Sequence, residues 1–215
     1  MMVGALLALF LAVLGLVGGT VPGVDWDSLL SRHALTWEWD EHASTWPTVF
    51  QLAAFGGNGL YGVTAMVHAD GNSMRFDVAR TDVYNCGVYP RMSIGSVQLR
   101  WTKGRMEGGR MVQDMHKAVI NGTVKSTEGE VHFAAWVPAV GNVIAVEWSV
   151  AGAEEAEITF VPMHQDNAER PAVPGLPPVR CHGGSNSSTG DAGTVCTQPL
   201  TCGSYSTALV TVHGR

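Results

Sequence analysis

Gly57-Asn58-Gly59-Leu60-Tyr61-Gly62 has the G-x-G-x-x-G spacing that seats a pyrophosphate where a strand turns into a helix. That chemistry needs the helix, because its N-terminus supports the phosphates. Only seven residues, Val63 to Ala69, separate Gly62 from the Asp70-Gly71 turn. Val63, Ala65 and Val67 alternate with Thr64, Met66 and His68, which is the period of a strand. The glycines are therefore read as a turn where backbones approach closely, and no nucleotide cofactor is expected.

The remaining reactive side chains are scattered. Hydrolysis of a glycoside needs two carboxyl groups flanking the bond, about 5–10 Å apart. Among the 19 acids, the candidates include Asp77, Asp82, Glu107, Asp114 and Glu147. Asp77 and Glu147 fall on polar strand faces, where solvated carboxylates are ordinary, so no catalytic residue is assigned. No G-x-S-x-G elbow occurs, and His116, His132 and His164 have no ligand spacing. Cys86, Cys181, Cys196 and Cys202 lack any C-x-x-C pair, which argues against zinc, and no metal is expected. An even cysteine count in an exported chain points instead to two disulfides, with three possible pairings. A Cys181–Cys196 bridge would stabilise by roughly 3 kcal/mol through loop closure.

The first residues fit export. The apolar run Val3 to Val17 is shorter than the about 20 residues of a membrane span and ends in Gly18-Gly19-Thr20. Residues 1–20 are expected to be a cleaved signal, although no Lys or Arg precedes the run. The chain is then expected in the secretory lumen or outside the cell, with no membrane partner after cleavage. In that route the sequons at Asn121 and Asn186 become glycosylation candidates. A net charge of -6 and the lack of any basic run argue against a nucleic-acid partner.

These residues must be positioned by strands. Of 215 residues 46% are hydrophobic and 15% charged, which is enough for a sizeable core. "LTWEW" alternates from Leu35. Asp70-Gly71-Asn72 closes a hairpin whose second arm carries Met74, Phe76 and Val78. Val97, Leu99 and Trp101 share a face, as do Val131, Phe133, Ala135 and Val137, and Ile144, Val146, Trp148 and Val150. Asp25 or Asp27 caps one short helical turn, and Arg110 to Val119 is the only other stretch with helical character. Residues 167–202, rich in Pro, Gly and Ser, read as a long loop held by cysteines. The expectation is an all-β antiparallel sandwich over 24–215 with little helix. Trp37, Trp39, Trp46, Trp136 and Trp148 could stack on sugar rings. Trp136 lies on the face opposite Phe133, and Trp37, Trp39 and Trp136 are kept as stacking candidates.

The order of several short motifs resembles the N-terminal domain of α-L-fucosidase-like glycoside hydrolases of family 95. Trp46-Pro47 stands upstream, then Gly57-Asn58-Gly59, Gly62 and the corner Thr81-Asp82-Val83-Tyr84. "YPRMSIGSVQL", the paired strands of "MVQDMHKAVINGTVKSTEGEVHFAAWVPAVGNVIAVEW" and the closing "QPLTCGSYSTALVTV" follow in the family's order. The likeness spans roughly Leu35 to Val212. It departs at Tyr84, where Trp is commoner, and at the cysteine-bearing segment from Cys181 to Cys202.

The resemblance implies a supersandwich of galactose-mutarotase type, with the catalytic acids in a following (α/α)6 barrel that these residues do not include. It implies that Asn58, Asp82, Tyr84 and Asn85 rim a sugar pocket or brace an interface with that barrel. Carbohydrate is the implied partner. The other reading is a stand-alone secreted carbohydrate-binding or structural sandwich. For Asn58 and Asp82 the conformational reading is an αL turn at Asn58 and backbone hydrogen bonds accepted by Asp82.

Overall fold

The computed structural model describes residues 23–40, 53–68, 70–83, 93–162, 178–185, 192–200 and 203–211. Within them the chain is all-β and antiparallel, with one short helix, α1 (Trp26–Ser31). Asp25 caps it, its Oδ1 accepting the Ser28 N–H at 3.1 Å, as the sequence predicts.

Two five-stranded sheets form the sandwich. The strands are β1 (Leu35–Asp40), β2 (Ala54–Gly57), β3 (Tyr61–Val67), β4 (Ser73–Arg80), β5 (Ser93–Trp101), β6 (Met106–Asp114), β7 (Val119–Ser126), β8 (Gly129–Trp136), β9 (Ala145–Gly152) and β10 (Ala156–Pro162). One sheet runs β1-β6-β7-β8-β9 and the other β10-β5-β4-β3-β2. Each is therefore a four-strand meander completed by one strand from across the sandwich. A third sheet, β11 (Arg180–Ser185), β12 (Ala192–Leu200) and β13 (Gly203–Thr211), stands in the order β11-β12-β13.

The core lies between the two larger sheets and follows the period-two faces. Val63, Ala65, Val67, Met74, Phe76, Leu99, Trp101, Ile120, Val131, Phe133 and Ala135 are all buried. Phe76 and Phe133 meet across the sheets, edge to face, with ring centroids 5.6 Å apart. Trp39 packs flat on Gly109, where a Cβ would sit 2.5 Å from the indole Cζ2. That close approach makes Trp39 a core residue.

Two expectations are corrected. Arg110 to Val119 is not helical: it is the end of β6, a turn and the start of β7. Asp114 Oδ1 accepts the N–H groups of His116 and Lys117, each at 3.0 Å, and Ala118, in the left-handed region at φ +52°, turns the chain into β7 before a helix can propagate. Residues 167–202 are not a continuous loop, because β11 and β12 pair from Arg180↔Thr197 to Ser185↔Ala192. Cys181 and Cys196 face each other in that register and form a disulfide. The bridge holds strands whose sequence, RCHGGS, has no apolar alternation to announce them.

Candidate functional site

The G-x-G-x-x-G stretch is the β2–β3 hairpin, with Gly57 opposite Gly62. No helix follows it, so no helix N-terminus is available for a phosphate. Asn58 builds the turn. Its Oδ1 accepts the N–H groups of Leu60 at 3.0 Å and Tyr61 at 2.8 Å, and its backbone N–H donates to the Tyr61 carbonyl at 3.1 Å. The left-handed conformation belongs to Gly59, at φ +88°, and not to Asn58. The Asn58 amide Nδ2 donates to the Pro138 carbonyl at 2.9 Å, on the segment leaving β8.

The Thr81-Asp82 corner lies at the same end, since Tyr61 pairs with Arg80 across β3 and β4. Among the described residues Asp82 accepts no backbone hydrogen bond, contrary to expectation; it grips Arg80. Arg80 Nε lies 2.5 Å from Asp82 Oδ1, and Nη2 donates to Oδ2 at 2.9 Å. Arg80 Nη1 donates to the Tyr61 hydroxyl at 2.8 Å, and the guanidinium sits 5.1 Å from the Tyr61 ring centroid. The hydrogen bond to Asp82 is the main reason the Arg80 guanidinium is held above its ordinary pKa. Thr81 N–H donates to the Leu60 carbonyl at 2.9 Å, tying the corner to the hairpin turn. Arg80 was not singled out in the sequence, although the Arg80-x-Asp82 spacing places both side chains on one side of an extended chain.

Beside this corner a cleft of about 810 Å³ opens between the two large sheets on the side of β9 and β10. Tyr61 and Arg80 stand on its wall with Trp148, Phe160 and Tyr205. Tyr205, from β13, donates its hydroxyl to the Ile94 carbonyl at 3.3 Å, and burial pushes its phenol above the ordinary range.

The other expected site residues divide. Trp39 is 5% exposed, which removes it from the stacking set, and Trp37 packs half-buried against the same core. Trp136 faces outward from β8, half-buried, opposite Val119 and Ala145. Asn121 lies mid-strand on β7, opposite Val112 and Ala134 and half-buried, with the Thr123 hydroxyl 2.9 Å from His132 Nδ1. Tyr84, Asn85, Cys86, Cys202, Asn186, Trp46 and residues 1–20 fall outside the described residues.

The candidate acids are spread over the surface. Asp77 pairs with Arg75 at 2.8 Å, Asp114 caps its turn, and Glu107 and Glu147 are exposed. Among the described residues no group of three or more His, Cys, Asp or Glu could hold a metal ion, and no helix is long and apolar enough to cross a membrane.

The best-formed polar cluster was not foreseen. Glu154 is 5% exposed and sits where the β5–β6, β7–β8 and β9–β10 turns converge. Its carboxylate accepts the N–H groups of Lys103, Gly104 and Glu155, each at 2.9 Å, and the Ser126 hydroxyl at 2.5 Å. Burial pushes its pKa up, but the Ser126 hydroxyl and the three N–H donors together hold it below the ordinary value. With every donor an internal one, the cluster is a structural lock.

No protein-family model, curated protein or solved structure matches the chain.

Proposed function

We propose that this chain is a secreted, non-catalytic β-sandwich module of the α-L-fucosidase-like glycoside hydrolase type. On this reading the end that carries Asn58 and Asp82 supports or rims the sugar site of an (α/α)6 barrel supplied outside these 215 residues. One observation carries the reading: the hairpin turn and the Thr81-Asp82 corner are braced together through Tyr61, Arg80 and Asp82. Asn58 is committed to the turn and to Pro138, so its role is positioning. Asp82 remains about half exposed and keeps lone pairs for a sugar hydroxyl or a partner's donor.

The test is the coding sequence beyond Arg215, followed by glycan binding. Continuation into helical repeats with paired acids, and fucoside hydrolysis by the whole product, is the expected result. A stop codon directly after Arg215 overturns the barrel reading. The second reading, a stand-alone carbohydrate-binding module, rests on Trp136, the one stacking candidate that faces outward among the described residues. It requires glycan binding by the chain alone that is lost in Trp136→Ala.

A further inference from the structure

The inter-sheet cleft has a chemistry of its own. Its volume, about 810 Å³, lies within the roughly 300–1,000 Å³ usual for small-molecule sites. Val97 and Phe160 wall it from one sheet, Val146 and Trp148 from the other, and Leu209 from β13. Among the described residues Arg80 is the only charged one on its lining. That charge is matched by Asp82 through two contacts, so an anion entering the cleft would have to displace a carboxylate already in place. A cation would find no acid among the described lining residues to pair with, since Asp82 is already committed to Arg80.

Polar capacity is equally restricted. The Tyr205 proton is spent on the Ile94 carbonyl. The Tyr61 hydroxyl accepts from Arg80, which leaves its own proton to donate. The other polar side chains on the described lining are Asn142, Ser206, Thr207 and Thr211, with the Ser206 hydroxyl already paired to Thr197 Oγ1 at 2.8 Å. Against a mostly apolar wall a sugar would turn more hydroxyls inward than these few groups can pair, at a desolvation cost.

We propose that this cleft binds an uncharged, largely apolar small molecule that carries one oxygen acceptor for the Tyr61 hydroxyl. The site is independent of the carbohydrate reading and would stand if that reading fell.

The test titrates the full chain with prodan, an uncharged naphthalene ketone whose emission reports an apolar surrounding. One saturable site is expected. Val146→Trp fills the cleft and should weaken binding by about tenfold or more. Val150→Trp, on the same strand and face but off the lining, should leave affinity within about twofold. Tyr61→Phe should weaken prodan by about three- to tenfold, the size of one net hydrogen bond. If Val146→Trp fails to fold, Leu209→Trp carries the same expectation from β13. Absence of saturable binding overturns the proposal. So does binding indifferent to both filling variants, or tighter binding of the anionic 1-anilinonaphthalene-8-sulfonate at the same site.

Discussion

Asn58 on the β2–β3 turn of one sheet donates its side-chain amide to the Pro138 carbonyl on the segment that leaves β8 of the other, at 2.9 Å. Eighty residues of sequence separate the two. The same side chain organises its own turn through Oδ1. One amide thus fixes both the shape of the hairpin and its position against the opposite sheet.

Asn58→Ala should therefore cost about 1–3 kcal/mol, since it leaves the Leu60 and Tyr61 N–H groups and the Pro138 carbonyl without their partner. Asn58→Asp keeps the acceptor but sets a carboxylate against the Pro138 carbonyl, so it should not restore stability. Urea denaturation of the two variants decides the matter. A cost for Asn58→Ala below about 0.5 kcal/mol, the scale of an ordinary surface change, would show that the amide does not join the sheets.

The strands were legible because they are amphipathic on a two-residue period: Val97, Leu99 and Trp101 are buried as their spacing requires, and so are Val131, Phe133 and Ala135. Asp25 and the Asp70-Gly71 turn were legible because caps and tight turns act over a few residues. What failed depends on distance. β11 pairs through a partner strand and a cross-strand disulfide; Cys181 was legible as a bridge candidate, but RCHGGS carries no strand period to announce the pairing. Trp39 alternates like an exposed strand aromatic, and only its meeting with Gly109, seventy residues on, buries it. Glu154 carries no local signal at all, since Lys103, Gly104 and Ser126 reach it from other turns. At the candidate site the hairpin could be read, whereas the pairing of Arg80 with Tyr61 had to wait for the β3–β4 register.

Gly104 leaves no room beside the Glu154 carboxylate. A Cβ there would lie 2.5 Å from Glu154 Oε2 and 2.6 Å from Ser126 Oγ. Gly104→Ala should destabilise by about 2–4 kcal/mol, because the carboxylate must shift off its donors while still buried. Ser126→Ala removes the short hydrogen bond and should cost about 1–3 kcal/mol alone. It also removes one of the three atoms the new methyl would strike, leaving Glu154 Oε2 and Ser126 Cβ. The double variant should then be less destabilised than the sum of the two by about 0.5 kcal/mol or more, as neighbours sharing one network behave. Strict additivity in a thermal-unfolding cycle would separate Gly104 from the lock.

The same carboxylate sets a pH dependence. Burial alone would raise the Glu154 pKa, but the Ser126 hydroxyl and the N–H groups of Lys103, Glu155 and Gly104 lower it below the ordinary 4.5. A carboxyl with a depressed folded pKa contributes stability in full above its unfolded pKa and loses it as pH falls through the folded value. Glu154→Gln removes that titration and sets an amide N–H₂ against N–H donors, so it should cost about 2–4 kcal/mol at pH 7. The difference in stability between the native chain and Glu154→Gln should hold from pH 7 to about pH 5 and then shrink as the native carboxyl is protonated. Asp70 is also held below its ordinary range: burial raises it, but hydrogen bonds from Asn72 N–H and His68 outweigh that. Asp70 titrates in both proteins and cancels in the difference. Denaturant titrations of both proteins between pH 7 and pH 3 measure the trend directly. A difference that stays constant or widens on acidification would mean that the four donors do not stabilise the ionised form, and the lock would then be one of packing alone.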